Sequence, residues 1–443
     1  WFWQVSLENS AGSTQQVDLI YVQDIALSPY GMVRLNEFYV SQYIDHTPLE
    51  HPKNGYVIAS RQNLAAGGRH PWCVIGSLRR AQSFATDGMQ VHGLATRAAE
   101  SPIGIVQGLP GRRLQHEHSM VAIQDEPLQI EPGERVSAGF FGSFSADHPA
   151  ATSLEDLDAV DQALDLPEAA SSELAAVAGD DSNSATLFSR SPCLDASDLQ
   201  ADDLNQLFGS QRRHEEVDEQ GAVLSFFYDT DRHVVLKAKE RRVQRPHGHL
   251  LRSGRHVTPD ELALTSTVWM NGVFHSMLTQ GHVSFNRLLS TVHSYLGLFR
   301  SHGLRVFVES DGGWRLLDMP SAFEIRPEAC RWLYKHSGGL IEVRSEAHAE
   351  HELTMRIEVL SGAPVRWFVS SHVALNGDDG SVAGVANWRQ ENGVIVIEPA
   401  EGSDLARRFP QGNFTIVPHT GTQIERVGGD ELLFQDQRSR QQP

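Results

Sequence analysis

Short apolar runs separated by turn residues organise the first third of the chain. The turn stretches, such as Ser28-Pro29-Tyr30-Gly31 and Glu131-Pro132-Gly133-Glu134, combine the fixed φ of Pro with the backbone freedom of Gly. Strands at this short spacing predict a β-sandwich over residues 1–150. The predicted strands cover residues 17–27, 55–59, 71–78, 119–124 and 136–144.

The first residues alternate with a period of two. Trp1, Trp3, Val5 and Leu7 would share one apolar face of a strand, opposite a mostly polar face. Because the chain opens inside this strand and without Met, we expect its N-terminus to be truncated. The polar tail, residues 431–443, predicts a cut within a linker.

Strand patterns return over residues 221–430 and predict a second sandwich domain. In His351 to Leu360 apolar and polar residues alternate, which indicates a half-exposed strand. Residues 305–317 predict a hairpin, because Asp311-Gly312 supplies the positive φ angles of a tight turn. Ser284 to Arg300 fits a helix and a strand equally well.

Residues 151–220 differ in composition from both blocks. From Glu155 to Glu219 there are 17 acidic residues and three Arg, so most of the net charge of −19 lies here. Leucines at helical spacing predict a helix with Thr152 or Ser153 as its N-cap, followed by polar, flexible chain. We interpret the segment as an acidic, partly helical linker, with an acidic interaction arm as the alternative.

The composition limits the classes of binding partner and the cellular compartment that we expect. The negative charge argues against nucleic-acid binding, and no apolar run reaches the length of a membrane span. Cys73, Cys193 and Cys330 are too few and too far apart for a disulfide framework or a paired metal motif. We therefore expect a reducing, cytoplasmic location, no metal and no membrane partner.

Residues 36–46 mix aromatic and polar side chains in the way that sugar binding requires, and residues 245–249 predict a rigid loop whose Arg and His side chains present donors. A pyranose offers C–H faces for a ring to stack on and hydroxyls that need charged or polar partners. Buried strand aromatics with a polar rim produce the same string, and this reading stays open. The carbohydrate-binding candidates are Glu37, Tyr39, Tyr43, Asp45, His46, Arg61, Arg69, Arg245, His247 and His249.

No catalytic residue stands out. Glycoside cleavage needs a carboxylic acid to protonate the leaving oxygen, but spacing favours none of Asp24, Glu37, Asp45, Asp87 and Glu324. The chain has no nucleophile-elbow, phosphate-loop or dinucleotide motif. The pairs His116/His118 and His247/His249 lack further metal ligands at recognisable spacing.

Ten stretches carry a family resemblance. They are residues 18–24, 34–46, 61–72, 84–88, 114–120, 140–142 and 147–149 in the first block and 244–249, 269–276 and 320–324 in the second. These strings resemble the N-terminal region of inverting glycoside phosphorylases, the family of the 1,2-β-oligoglucan and cellobiose phosphorylases. The phosphorylase-like part of cyclic β-1,2-glucan synthases is a further relative.

The resemblance implies two β-supersandwich domains of the galactose-mutarotase type, followed in family members by a helical linker and an (α/α) barrel with the acid catalyst. No long paired helices of such a barrel are visible in the sequence. The intact enzyme would need no cofactor, because inorganic phosphate attacks the anomeric carbon and α-glucose 1-phosphate leaves. The sandwiches would hold a β-glucan oligosaccharide, brace the missing barrel or form a homodimer contact.

The expected function is thus the non-catalytic N-terminal portion of a β-glucan phosphorylase, inactive alone. Two alternatives remain at this point: a stand-alone carbohydrate-binding protein and a part of a cyclic β-1,2-glucan synthase. A third is a sandwich that itself catalyses anomer interconversion with a His and Glu pair.

Overall fold

Strands dominate the described part of the chain, as predicted, and the described helices have at most eight residues. The chain divides into two compact units, Trp1–Gly179 and Asp180–Pro443. This boundary falls inside the acidic segment. The computed structural model describes residues 1–35, 37–93, 101–115, 118–170, 185–243, 246–258, 260–281, 288–289, 302–375 and 386–436.

The first unit contains ten described strands and five described helices. The strands are β1 (Phe2–Glu8), β2 (Gln15–Val17), β3 (Ile20–Asp24), β4 (Ile44–His51), β5 (Gly55–Gln62), β6 (Trp72–Ser77), β7 (Ala81–Asp87), β8 (Ser119–Asp125), β9 (Leu128–Ile130) and β10 (Arg135–Ser145). The helices are α1 (Tyr30–Leu35), α2 (Glu37–Ser41), α3 (Gly88–His92), α4 (Ile103–Gln107) and α5 (Leu157–Leu164).

Eight of these strands form one sheet with two parts. The order β1-β10-β6-β5-β4 is antiparallel throughout, and β7-β8-β3 joins it through one parallel bridge between Gly55 and Ala81. Gly55 has φ +69°, and a Cβ there would lie 2.1 Å from the carbonyl oxygen of Ala81, so the bridge requires glycine. Apolar residues of both parts, including Ile58 and Val121, fill one core.

The N-terminal strand corrects one prediction. Trp3 is 58% exposed, whereas Phe2, which alternation had assigned to the polar face, packs in the cluster around Phe141. The reason is tertiary, because α5 covers the face of the sheet that carries Phe2 and β1 is an edge strand beside β10. Period-two alternation identifies a strand but not which face is covered.

The predicted helix after Ser153 is present as a short 3₁₀ turn that continues into α5. The Ser153 hydroxyl accepts from the amide of Glu155, and the Asp156 carboxylate accepts from the Ser153 amide, which completes a capping box. Val160 and Ala163 of α5 pack against the sheet. The start of the acidic segment is therefore part of the first unit.

The second unit contains sixteen described strands and five described helices. The strands are β11 (Arg213–Val217), β12 (Val223–Tyr228), β13 (Arg232–Leu236), β14 (Gly248–Arg252), β15 (Leu264–Trp269), β16 (Val273–Gln280), β17 (Leu304–Ser310), β18 (Gly313–Leu316), β19 (Ala322–Arg326), β20 (Ala329–His336), β21 (Gly339–Ala347), β22 (Leu353–Gly362), β23 (Trp367–Ser371), β24 (Ala386–Glu391), β25 (Val394–Pro399) and β26 (Phe414–Ile416). The helices are α6 (Leu187–Arg190), α7 (Ala201–Phe208), α8 (Lys237–Glu240), α9 (Asp404–Arg408) and α10 (Asp430–Leu433).

Two sheets form the sandwich of the second unit. The seven-stranded sheet has the order β11-β12-β13-β19-β20-β21-β22, and the six-stranded sheet runs β14-β15-β16-β17-β18 with β23 paired to β17. Their facing sides share one core around Trp332, Phe274 and Phe323. On its other side the seven-stranded sheet packs against Leu204 and Phe208 of α7.

Two local predictions for the second unit are confirmed. The hairpin forms as β17 and β18, with Asp311 at φ +52° and Gly312 at φ +74° in the turn. β22 is half exposed, and its residues Leu353, Met355 and Ile357 pack against the core. Ser284 to Arg300, for which helix and strand were equally favoured, lies outside the described residues except for Leu288 and Leu289.

Candidate functional site

Two tyrosines near the start of β4 form an exposed aromatic pair. The rings of Tyr39 and Tyr43 lie 5.1 Å apart, centroid to centroid, at 62°, and the Tyr43 hydroxyl donates to that of Tyr39 at 3.3 Å. Their side chains are 46% and 36% exposed. The contact with Tyr39 raises the pKa of Tyr43, so its hydroxyl stays protonated and can donate.

Charged side chains lie on the strands that follow this pair. Asp45 of β4 is opposite Arg61 of β5 in the strand register, and Arg113 pairs with the Asp45 carboxylate. Arg61 is buried and donates to the carbonyl oxygens of His148 at 2.7 Å and Pro149 at 3.1 Å. Arg61 is thus held by backbone acceptors, whereas Asp45 and Arg113 remain partly accessible.

His46 is a core residue that joins the two parts of the sheet. Its Nδ1 lies 2.8 Å from the Ser60 hydroxyl on β5, and its Nε2 lies 2.8 Å from the Ser119 hydroxyl on β8. Burial lowers its pKa to about 3, with a smaller effect from Arg113. The ring is neutral at physiological pH, and both of its nitrogens are engaged within the protein.

The remaining candidates are placed separately. Arg69 is exposed, in a turn that is closed by a backbone bridge between Ala66 and Arg69. The His249 ring donates to the carbonyl oxygen of Pro327 at 3.3 Å. Glu37 begins α2, but its side chain lies outside the described set, as does all of Arg245. Carbohydrate binding by any of the ten residues stays a prediction.

The second unit contains a carboxylate and histidine pair. The Glu240 side chain at the end of α8 is fully buried, and its Oε2 lies 2.5 Å from Nδ1 of His247. The same carboxylate accepts from the His247 amide at 3.1 and 3.2 Å. A carboxylate on Nδ1 fixes the orientation of an imidazole, so Nε2 of His247 is the nitrogen available to a ligand or proton.

Polar groups and an aromatic stack lie near this pair. The Glu216 carboxylate accepts from Lys239 and, at 2.8 Å, from the Ser225 hydroxyl. The Phe227 and His233 rings stack at 4.4 Å. Burial lowers the pKa of His233, and the charges of Lys239 and His247 lower it further. These groups can hydrogen-bond hydroxyls and stack against a ring, which are the two contacts that a sugar offers.

Among the residues that the structure describes, no group of three or more His, Cys, Asp or Glu side chains is placed to hold an ion. His116 and Glu117 of the first histidine cluster lie outside those residues. Within the same described part, no helix has the length and apolar character to cross a membrane.

Several partners were not identified from the sequence. Arg113 lies 68 residues from Asp45, and only folding brings the two together. Glu240 precedes His247 by seven residues, a spacing with no recognised motif. Lys239, Ser225 and Glu216 are individually ordinary surface residue types.

Both units match known protein families. Residues 1–142 match the SOGP N-terminal domain, and residues 210–443 match the glycoside phosphorylase supersandwich domain. The chain is also similar to a 1,2-beta-oligoglucan phosphorylase of Listeria innocua serovar 6a, with 28% identity over 418 residues. That similarity covers 94% of this chain and 37% of the relative, so the chain spans just over a third of the relative's length. Because the match over residues 210–443 covers more than half of the chain, the chain belongs to the glycoside phosphorylase supersandwich family.

Proposed function

We propose that this chain is the non-catalytic, carbohydrate-binding and structural portion of a phosphorylase that acts on β-glucan, with β-1,2-linked oligoglucans as substrate. The observation that carries the proposal is the similarity to the 1,2-beta-oligoglucan phosphorylase, which extends over 94% of the chain and through both units. The reaction would use inorganic phosphate as co-substrate and release α-glucose 1-phosphate.

The surroundings of the carboxylates support a non-catalytic role. Inverting phosphorolysis needs one carboxylic acid that can protonate the leaving oxygen, because phosphate itself attacks the sugar. Glu240 is buried against His247, Glu324 is buried among guanidinium groups, and Asp45 is paired with Arg113. Each of these carboxylates is thus paired with a cationic or histidine partner within the chain.

The Tyr39 and Tyr43 pair is the surface that we assign to saccharide binding. Two exposed rings present apolar faces to a pyranose, and their hydroxyls supply hydrogen bonds at the edge. The Asp45 carboxylate follows Tyr43 by two residues and offers an acceptor for a sugar hydroxyl.

An activity assay tests the non-catalytic role. The purified 443-residue chain is incubated with glucose 1-phosphate and sophorose, and phosphate release is followed. We expect none above the rate without protein, and the curated relative from Listeria innocua serves as the active control. Turnover by the chain itself would show that it contains a catalytic acid and would contradict the proposal.

Calorimetry with β-1,2-linked oligoglucans tests the binding surface. Tyr43→Ala should weaken binding several-fold, because an aromatic contact contributes about 1 kcal/mol. Tyr43→Phe should retain most of the affinity, since it keeps the ring. Phe144→Ala, at another exposed aromatic residue of the same unit, is the matched control and should change nothing. Equal affinities for Tyr43→Ala and the unmodified chain would refute this assignment.

A further inference from the structure

A cavity of about 280 Å³ lies beside the β17–β18 hairpin of the second unit. Its lining includes the apolar residues Leu187 of α6 and Pro192 and the aromatic residue Trp314 of β18. Arg190 of α6 and Arg315 of β18 are the charged residues of the lining. None of these residues belongs to the candidate sites described above.

Trp314 is held in position by its neighbours. Its ring meets Phe368 edge to face, with centroids 5.8 Å apart, and the Arg366 guanidinium lies 5.9 Å from the ring centroid. Arg366 is fixed in turn by Glu309 at 3.1 Å and Glu425 at 2.7 Å. A ring held in this way is preorganised to stack against a ligand, which lowers the entropic cost of binding.

The charged groups of the lining are hydrogen-bond donors. The Nε of Arg190 donates a hydrogen bond to the carbonyl oxygen of Thr186 at 3.3 Å. The carboxylate nearest to Arg315 in the described chain is the largely exposed Asp311, at 3.9 Å. Among the described residues that line the cavity there is no carboxylate. Guanidinium groups match the acceptor geometry of phosphate, whereas a neutral sugar also needs acceptors for its hydroxyl protons.

We propose that this cavity binds a hexose phosphate, with the pyranose ring against the Trp314 indole and the phosphate between Arg190 and Arg315. The proposal rests on the proposed function for the source of its ligand, since phosphorolysis of a glucan releases glucose 1-phosphate. The volume is close to the lower limit of small-molecule sites, on the order of 300 Å³, which suits one sugar residue rather than a long glucan.

Titration calorimetry on the 443-residue chain tests this inference with glucose 1-phosphate as the probe, and with inorganic phosphate, glucose and sophorose as separate arms. Glucose 1-phosphate should bind more tightly than the other three. The double variant Arg190→Gln, Arg315→Gln should weaken its binding at least about tenfold, because it removes two charge-assisted contacts. Arg356→Gln, at an exposed arginine of the same unit, should leave binding unchanged.

Trp314→Ala should reduce the preference for glucose 1-phosphate over inorganic phosphate. Because Trp314 also contacts the apolar cluster around Phe307, the fold of the Trp314→Ala variant is checked by circular dichroism. The arginine variants, at an exposed and a partly exposed position, keep the test independent of that outcome. The inference is overturned if both arginine changes leave glucose 1-phosphate binding intact, or if sophorose binds in its place and competes with it.

The two proposals fail separately. Loss of glucose 1-phosphate binding with intact, Tyr43-dependent glucan binding would overturn only the hexose phosphate site. Absence of glucan binding, with arginine-dependent binding of glucose 1-phosphate retained, would overturn the glucan surface and support this site.

Discussion

Asp125 in the first unit and Glu324 in the second are both buried carboxylates, but their surroundings are opposite. Glu324 in the second unit is 3% exposed and accepts from the Tyr228 hydroxyl at 2.8 Å and from Arg331 at 3.0 Å. Asp125 in the first unit is fully buried, and within the described chain neither of its oxygens accepts a hydrogen bond of good geometry, although Ser77 is near enough to interact with it. Its closest cation is Arg79, at 3.9 Å.

The difference shows that burial alone does not define the role of a charged group. The guanidinium groups of Arg232 and Arg326 also lie 3.8 and 3.9 Å from the Glu324 carboxylate, so with Arg331 it has three cationic neighbours. Burial of Asp125 raises its pKa to about 6, and Ser77 and Arg79 offset this only in part. A carboxylate-to-amide substitution therefore has opposite expected effects in the two units.

The largest effect is expected for Glu324→Gln. Neutralising Glu324 leaves three neighbouring guanidinium groups to repel one another, so the second unit should lose about 3 kcal/mol of stability. Urea unfolding, with hydrogen exchange of β19 and β20 peptides, measures this loss. Glu358→Gln, at a partly exposed position of β22, is the control and should stay within about 0.5 kcal/mol. A loss for Glu324→Gln no larger than that of the control would show that the cluster contributes no net stability.

Asp125→Asn should stabilise the first unit at neutral pH. The folded pKa of about 6 lies above the ordinary value of 3.8, so the native state holds more protons between these values and loses stability as the pH rises through them. The variant should therefore gain about 2 kcal/mol relative to the unmodified chain at pH 7.5, and this gain should vanish near pH 4. Unfolding by urea at both pH values measures the difference.

The control for Asp125→Asn is Glu126→Gln at the neighbouring, half-exposed position. It should show no comparable dependence on pH. A difference between Asp125→Asn and the unmodified chain that stays constant from pH 4 to 7.5 would mean that the buried carboxylate does not titrate in this range.

Two buried histidines should affect stability less than Asp125 does, and in the opposite direction: stability is lost as the pH falls. Burial lowers the pKa of His46 to about 3 and that of His275 to about 4, both below the ordinary value of 6.5. The stability that depends on their neutral form is complete above pH 6.5 and is lost as the pH falls below it. Each should account for about 1 kcal/mol of loss between pH 7 and 5.5.

His46→Gln should flatten the pH dependence of the first unit, and His275→Gln should do the same for the second. The exposed His419→Gln is the control for both. Unfolding is followed from pH 7 to 5.5, and the slope is compared rather than the absolute stability, because each substitution also removes a hydrogen bond to serine. An unchanged slope for His46→Gln would show that its ring takes up a proton over the same pH range in the folded and unfolded states, which would contradict the lowered pKa.

Local structure was predictable where the signal lies in neighbouring residues. The β17–β18 turn follows from Asp311-Gly312, and the start of the helix before α5 follows from Ser153 and Asp156. The exposure of Trp3 was not predictable, because it depends on α5 and on the edge position of β1. The tyrosine pair lies in a segment that the sequence singled out for its mixture of aromatic and polar residues. The two rings meet because residues four apart on a short helical turn are neighbours.

The amino-acid sequence by itself determined the mainly β class, the turn chemistry and the helix cap. These features depend on side-chain alternation and on backbone preferences over a few residues. Only the tertiary structure decided which charges are compensated, since the Tyr228 hydroxyl reaches Glu324 across 96 residues of chain, and Arg113 reaches Asp45 across 68. Electrostatic partners depend on distance in space and on exclusion of water, and neither is encoded in sequence spacing.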